Sequence, residues 1–429
     1  YIINNYTLLL KRDSKWQGYF FVKNNIKYKY PLSSDSFDEK DFTSLKKSFD
    51  TKKYTMGKTV ENFENKLANW FGVRNAIMVN SGSSANLLLV TSLLYNTKKK
   101  FNLKKGDEIL VPALAWPTTI WPLIQLGLKP VLVDINLKSL AIDLNSAKNE
   151  ITSKTKGMFL IHVLGQACNM KKYVSFCKSN NLILLEDCCE SFGAFFEKKT
   201  VGSFGYGGTF SHYFSHHLTT IEGGTIITND DNLADDIRSL RSHGWIRERK
   251  DKNKFIKQNS KIDSRWLFLL PGYNVRPMEF QAAVGLEQLK KINKLLNLRN
   301  EVVKKINKLC KNGPTWLKII GSELIHQKNI SKAKRNHSWM NIPFLINHPK
   351  LTSNQVVQIF EKNAIETRPI ISGNITNHPV FNNLETRISK KLENTNIIHE
   401  KGFMIGCHSK VGNKAINAIK KTLEELTKL

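Results

Sequence analysis

Seven short apolar runs, at 76–80, 109–112, 131–134, 158–163, 182–186, 209–214 and 225–228, punctuate the first half of the chain. Most of the gaps between them carry helical patterns, as at 84–95 and 171–179. Runs that short, and apolar at successive positions, are what strands covered on both faces look like. Strands alternating with helices are joined by crossovers, and crossovers favour parallel pairing. The order therefore predicts an α/β unit built on a mostly parallel sheet with helices on its faces. Ahead of it, Val60, Phe63, Leu67 and Trp70 recur at helical spacing and predict an amphipathic helix.

Beyond residue 285 the texture changes. A long helical pattern at 286–310 leads to a strand-like run at 340–346 and a further helix at 352–363, which reads as a smaller C-terminal α/β unit. Residues 1–50 mix aromatic and basic side chains without a clear period and read as an arm or lead-in. The expected organisation is thus 1–50 lead-in, 51–285 large domain and 286–429 small domain. The formal charge of +29 admits nucleic acid, an anionic surface or anionic small ligands as partners. The lysines behind it are spread along the chain among many Asn and Ile, which favours a solvated, compositionally biased surface, and neither a helix-turn-helix nor a zinc-finger pattern is present. No apolar run is long enough for a bilayer. The first residues lack a basic stretch followed by an apolar core, and the six cysteines form no CxxC pair. Together these predict a cytoplasmic protein without a disulfide framework.

Several residues could bind or react. The turn N-S-G-S-S-A-N at 80–86 lies between a predicted strand and helix, where Gly82 would let backbone amides approach an anion. Many such turns hold no ligand. Glu186 and Asp187 end an apolar run; a carboxylate there can pair with a protonated ring nitrogen, or simply cap a helix. Trp116 could lie on a flat ring, although a single Trp is more often core or interface. His212 and His216 could share a metal, but no third convergent ligand is evident. A surface or structural role would be the default for His216 alone.

The order of these pieces is more telling than any one of them. The segment S-H-Y-F-S-H-H-L-T-T-I-E-G-G at 211–224 resembles the cofactor segment S-F-x-x-x-K-x-L/I-x-x-x-E-G-G of the DegT/DnrJ/EryC1/StrS sugar aminotransferases. Thr55-Met56-Gly57, Gly106-Asp107-Glu108, Gly165-Gln166, the run G-Y-N-V-R-P at 272–277 and G-L-E-Q-L at 285–289 match as well. The resemblance implies an aspartate-aminotransferase-like fold of type I, bound pyridoxal phosphate (PLP), and usually a dimer that acts on nucleotide-linked keto sugars. Position by position it implies that Gly82, Ser83 and Ser211 hold the cofactor phosphate, Trp116 stacks on the ring and Asp187 pairs with the pyridine nitrogen. Glu190 would stand beside the cofactor, where related dehydratases keep an acid. Asn274 would reach the phosphate of the neighbouring subunit's cofactor, which makes the site shared.

One departure matters most: His216 occupies the position of the family's Schiff-base lysine. Imidazole cannot hold the cofactor covalently, yet it moves protons near neutrality. Within the family this change marks a small branch that removes the C3 hydroxyl of nucleotide-linked 4-keto-6-deoxyhexoses. The segments at 241–247 and 366–374 look like that branch too, and His217, Arg247 and Arg368 are candidate substrate contacts. The implied resting cofactor is pyridoxamine phosphate (PMP), loaded from L-glutamate, and the implied substrate is the GDP-linked sugar. A CDP-sugar relative carries a [2Fe–2S] cluster on a C-x-C and a further Cys; residues 241–261 contain no cysteine, so no cluster is expected here. An aminotransferase with a displaced lysine, and an inactive member that binds polyanions, are the rival readings. The intact set Ser83, Trp116, Asp187 and Ser211 argues against the second.

Overall fold

A computed structural model describes residues 28–101, 103–325 and 335–429. Its strands, in chain order, are β1 (Asn75–Val79), β2 (Glu108–Pro112), β3 (Lys129–Val133), β4 (Thr155–Ile161), β5 (Ile183–Asp187), β6 (Phe195–Phe196), β7 (Lys199–Thr200), β8 (Gly207–Ser211), β9 (Gly224–Thr228), β10 (Leu317–Ile319), β11 (Arg335–Asn336), β12 (Asn341–Ile346), β13 (Thr367–Arg368), β14 (Arg387–Ile388) and β15 (Gly402–Gly406). The large sheet runs β1-β9-β8-β5-β4-β2-β3-β14. From β8 to β14 every pairing is parallel, and the two pairings made by β9 are antiparallel. Each apolar run read from the sequence is one of its strands. β1, β2, β5, β8 and β9 are buried along their whole length or all but one residue, which is why they show no two-residue alternation.

A second, four-stranded antiparallel sheet, β10-β12-β15-β13, has its own apolar core around Phe344, Phe360 and Phe403. β11, β6 and β7 form a small ribbon. The helix Glu279–Cys310 supplies buried residues to both halves: Ala282 and Ile292 join the core under the first sheet, and Val303 and Ile306 join that of the second. It starts earlier than its apolar period suggests. Gln281 Oε1 accepts from Met278 N at 2.8 Å and closes the first turn, and Glu279 turns its carboxylate onto Gly57 N, Thr59 N and Val60 N to cap the helix Lys58–Phe71.

The expected domain lines are crossed. Residues 1–27 of the lead-in lie outside the described residues, but Glu39–Asp50 is a helix, capped by Asp38 and packed on the long helix. Its period escaped notice because its buried face is polar: Asp41 is buried and pairs with Lys291, while Phe42 and Phe49 are exposed. Tyr30 belongs to the second core. Conversely, β14 returns from the C-terminal part to pair with β3, and Asp134, just past β3, caps the helix Glu393–Lys401 through Asn394 N and Thr395 N. No helix among the described residues is long and apolar enough to cross a membrane.

Candidate active site

The site is built at the ends of parallel strands, where Asp187 terminates β5. Alternation along β5 sends its last two carboxylates to opposite faces. Glu186 goes into the fold: its oxygens accept from Gly202 N, Phe204 N and Gly205 N at 2.7–2.8 Å, and from His162 Nε2 at 3.2 Å. Burial opposes the charge on His162, but Cys168 and Glu186 prevail and hold its pKa up near about 10. His162, Glu186 and Cys188 lie close enough to one another for a metal ion. The Glu186 oxygens are already taken by four donors, so this cluster is a satisfied polar core.

Asp187 faces the other way and is 5% exposed. Its Oδ2 accepts from Asn86 Nδ2 at 2.8 Å and Thr119 Oγ1 at 2.7 Å, and its Oδ1 from Cys189 N at 3.0 Å. Asn86 is itself fixed, accepting from Thr209 Oγ1 at 2.6 Å. The sequence reading gave Asn86, Thr119 and Thr209 no role of their own, although each lies within a few residues of a candidate: Gly82, Trp116 and Ser211. A buried carboxylate with three donors keeps one orientation, and its free lone pairs are left for a donor such as a ring N–H.

Thr119 also places Trp116. It is the third residue of the helix Pro117–Gln125, whose N-cap is Trp116. The indole is 58% exposed, large for so apolar a group. Gly82 opens the helix Gly82–Leu94. Ser81 Oγ caps Ser84 N, and Ser81 O takes Ala85 N, which leaves the Gly82 and Ser83 amides at the open helix end. A Cβ on Gly82 would stand 2.6 Å from Cβ of Ser211. Glycine is thus required for close approach to Ser211, at the end of β8, and phosphate-sized anions fit the amides and hydroxyls gathered there. A PLP-like group fits this donor set.

The loop from β8 to β9 carries His216. It is pinned at its base by His212 N to Gly223 O and Thr220 N to His212 O. His212 points at Thr225 Oγ1 (2.7 Å), so the shared-metal reading with His216 has no support in this geometry. The His216 ring is half-buried, edge-on to Tyr213, and its Nδ1 is covered without a partner. Burial, with the fields of His212 and Arg299, pushes its pKa down to about 3. The imidazole is therefore neutral across the physiological range. Glu190 lies half-buried past Asp187 and accepts from Leu164 N at 2.8 Å; burial, aided by Asp187, lifts it to about 7.

Three candidate substrate contacts stand elsewhere. His217 is buried, and its Nε2 donates to Ser338 O at 3.2 Å, because only a protonated nitrogen can bond a carbonyl. In this structure it is held by packing and by that one bond. Arg247 is exposed with its guanidinium 4.5 Å above the Trp245 ring. Arg368, on β13, pairs with Glu366 at 2.7 Å. Asn274 is exposed, beside Ser242, on the segment whose Val275 O accepts from Asn80 N.

Residues 35–424 match the sequence profile of the DegT/DnrJ/EryC1/StrS aminotransferase family. The GDP-4-keto-6-deoxy-D-mannose 3-dehydratase of Escherichia coli O55:H7 is 36% identical over 383 residues, covering 88% of this chain and 95% of the relative. A structure of a GDP-4-keto-6-deoxymannose-3-dehydratase variant with bound GDP-perosamine superposes with a TM-score of 0.83 at 35% identity, covering 92% of this chain and 100% of the other. A second, with a trapped PLP-glutamate geminal diamine, gives 0.81 at 34% identity, with the same coverage of 92% and 100%.

Proposed function

The chain belongs to the DegT/DnrJ/EryC1/StrS aminotransferase family, and from that premise we propose that it is a PLP- and PMP-dependent 3-dehydratase of GDP-4-keto-6-deoxy-D-mannose. The observation that carries this reading is His216, a neutral imidazole at the family's lysine position, in a chain whose cofactor cradle is otherwise intact. Gly82, Ser83 and Ser211 would hold the phosphate, Trp116 would cover the ring, and Asp187 would keep its nitrogen protonated. Bound PMP supplies an amine that condenses with a ketone and a ring that accepts electrons.

The remaining chemistry falls to the protein. His216 Nδ1 is covered, so Nε2 is the nitrogen on the open side, and there a proton is taken and then handed to the departing C3 hydroxyl. Because imidazole cannot displace the amine, the nitrogen stays with the sugar and leaves as ammonia after hydrolysis. L-Glutamate is the amino donor. Its oxidation to 2-oxoglutarate provides the two electrons that replace C3–O by C3–H, so no iron–sulfur partner is needed.

A homodimer with a shared site belongs to the same reading. Phe42, Tyr213, Phe214, Ile221 and Met278 are each more than a third exposed, and Phe37 stacks on Phe214 beside the catalytic loop. An apolar face of that kind next to a site suits a second copy, whose Asn274 would complete the phosphate cradle. The cytoplasm, where nucleotide sugars and glutamate are at hand, is the compartment this chemistry calls for. The test is mass spectrometry of GDP-4-keto-6-deoxymannose after incubation with the protein, PLP and glutamate. Loss of one oxygen with release of ammonia is expected; an amino sugar that keeps its C3 oxygen would overturn the reading.

A further inference from the structure

Arg299, in the middle of the long helix, is 7% exposed. Burial opposes its charge, and among the described residues the groups that act on it are Cys407 and Tyr30, with no carboxylate. Leaving a guanidinium in that state costs several kcal/mol, roughly, unless its hydrogen bonds compensate. They do so through main-chain carbonyls: Nη1 donates to Trp339 O at 3.3 Å, Met340 O at 3.0 Å, and Cys407 O.

The segment so held leads into β12 and reaches across to the active site. Ser338 O accepts from His217 Nε2. Ser338 N donates to Gly165 O at 2.8 Å and Met340 N to Leu164 O at 3.0 Å. Leu164 N in turn holds the Glu190 carboxylate. The path is under tension at both contacts: Trp339 and Leu164 have φ of 52° and 51°, a region non-glycine residues rarely adopt. Gly165, at φ 86°, admits the approach, since a Cβ there would stand 2.5 Å from Trp339 N.

We propose that Arg299 is a positioning residue for the deoxygenation, clamping through Trp339 and Met340 the short segment from which both His217 and Glu190 are suspended. It rests on the dehydratase reading for its role but not for its geometry. The effect on His216 is twofold. Its neighbour His217 is tied in place, and the unneutralised guanidinium adds to burial in keeping the His216 imidazole neutral. The other titratable group shown beside His216 is Tyr213 on the same loop, edge-on to its ring.

Arg299→Lys keeps the charge, but its ammonium stops one bond short of the Nη1 position from which the carbonyls are held; Arg299→Met removes both charge and donors. The readout on cofactor-free protein is the pH dependence of histidine modification by diethyl pyrocarbonate, which attacks neutral imidazole, resolved by fragment mass spectrometry. In the unaltered protein His216 should react at a constant rate down to about pH 5, and His217 should be protected. In both variants His217 should become reactive at neutral pH. With substrate, kcat should fall roughly ten- to a hundredfold, as for a misplaced catalytic group. If Arg299→Met does not fold, exposure of His217 in Arg299→Lys decides the matter. Folded variants with unchanged profiles and a protected His217 would overturn the proposal. Failure of the unaltered protein to convert the GDP-sugar would instead sink the dehydratase reading, which the modification profile does not use.

Discussion

The hold on Asp187 can be measured by removing one donor. Thr119 is 1% exposed, and its hydroxyl gives Asp187 Oδ2 a bond of 2.7 Å. Thr119→Val deletes that bond and little volume. A hydrogen bond to a charged group contributes about 1.5–3 kcal/mol. At ~2.1 cal/mol/K per residue, unfolding 429 residues carries an entropy of roughly 900 cal/mol/K. A loss of about 2 kcal/mol therefore lowers Tm by roughly 2 °C. Thermal melts of cofactor-free protein, on Thr119→Val, Asp187→Ala and the double variant, complete a cycle. In the Asp187→Ala background the Thr119 hydroxyl has lost its acceptor, so Thr119→Val should cost nothing or stabilise slightly. Thr119→Ser, which keeps the hydroxyl, should recover most of the loss. If Thr119→Val lowers Tm equally in both backgrounds, to within the equivalent of about 0.5 kcal/mol, the carboxylate is not held as described.

Other consequences are as direct. His216→Lys should lower dehydration by about a hundredfold or more and yield a protein to which borohydride fixes PLP covalently; full activity in that variant would refute the role of His216. Glu190, lifted to about 7 by burial, should give kcat an inflection near neutrality. Glu190→Gln, which keeps the bond from Leu164 N, should erase it. Gly82→Ala places a Cβ 2.6 Å from that of Ser211 and should weaken PLP binding at least about tenfold, read by fluorescence titration, if the cradle is at that turn. His212 and His408 are pushed down to about 4, and His216 and His337 to about 3, all chiefly by burial. Below about pH 6.5 the unfolded chain binds protons on these rings that the folded chain does not. Stability should accordingly fall with pH from there, by up to about 1.4 kcal/mol per unit for each ring, offset in part by Glu190; urea midpoints that stay level to pH 4.5 would contradict these buried neutral states.

The order of apolar runs was enough to give the large sheet, because strands covered on both faces must be apolar at successive positions, and Gly82, Trp116, Asp187, Ser211 and His216 became candidates through their order along that pattern. Three things were settled only in three dimensions. The first helix, Glu39–Asp50, buries Asp41 against Lys291, so its inward face carries no apolar period. Two excursions cross the lines expected at residues 50 and 285: Tyr30 joins the second core and β14 pairs with β3, each far away in sequence. Above all, the roles of two neighbouring histidines could not be separated by spacing. Tertiary packing covers His217 and ties it to Ser338, leaves His216 half-open, and brings Arg299, from a helix more than eighty residues on, onto the carbonyls of Trp339 and Met340 beside Ser338. Burial and long-range hydrogen bonds set which ring can take a proton from a ligand, and neither is written in the local order of residues.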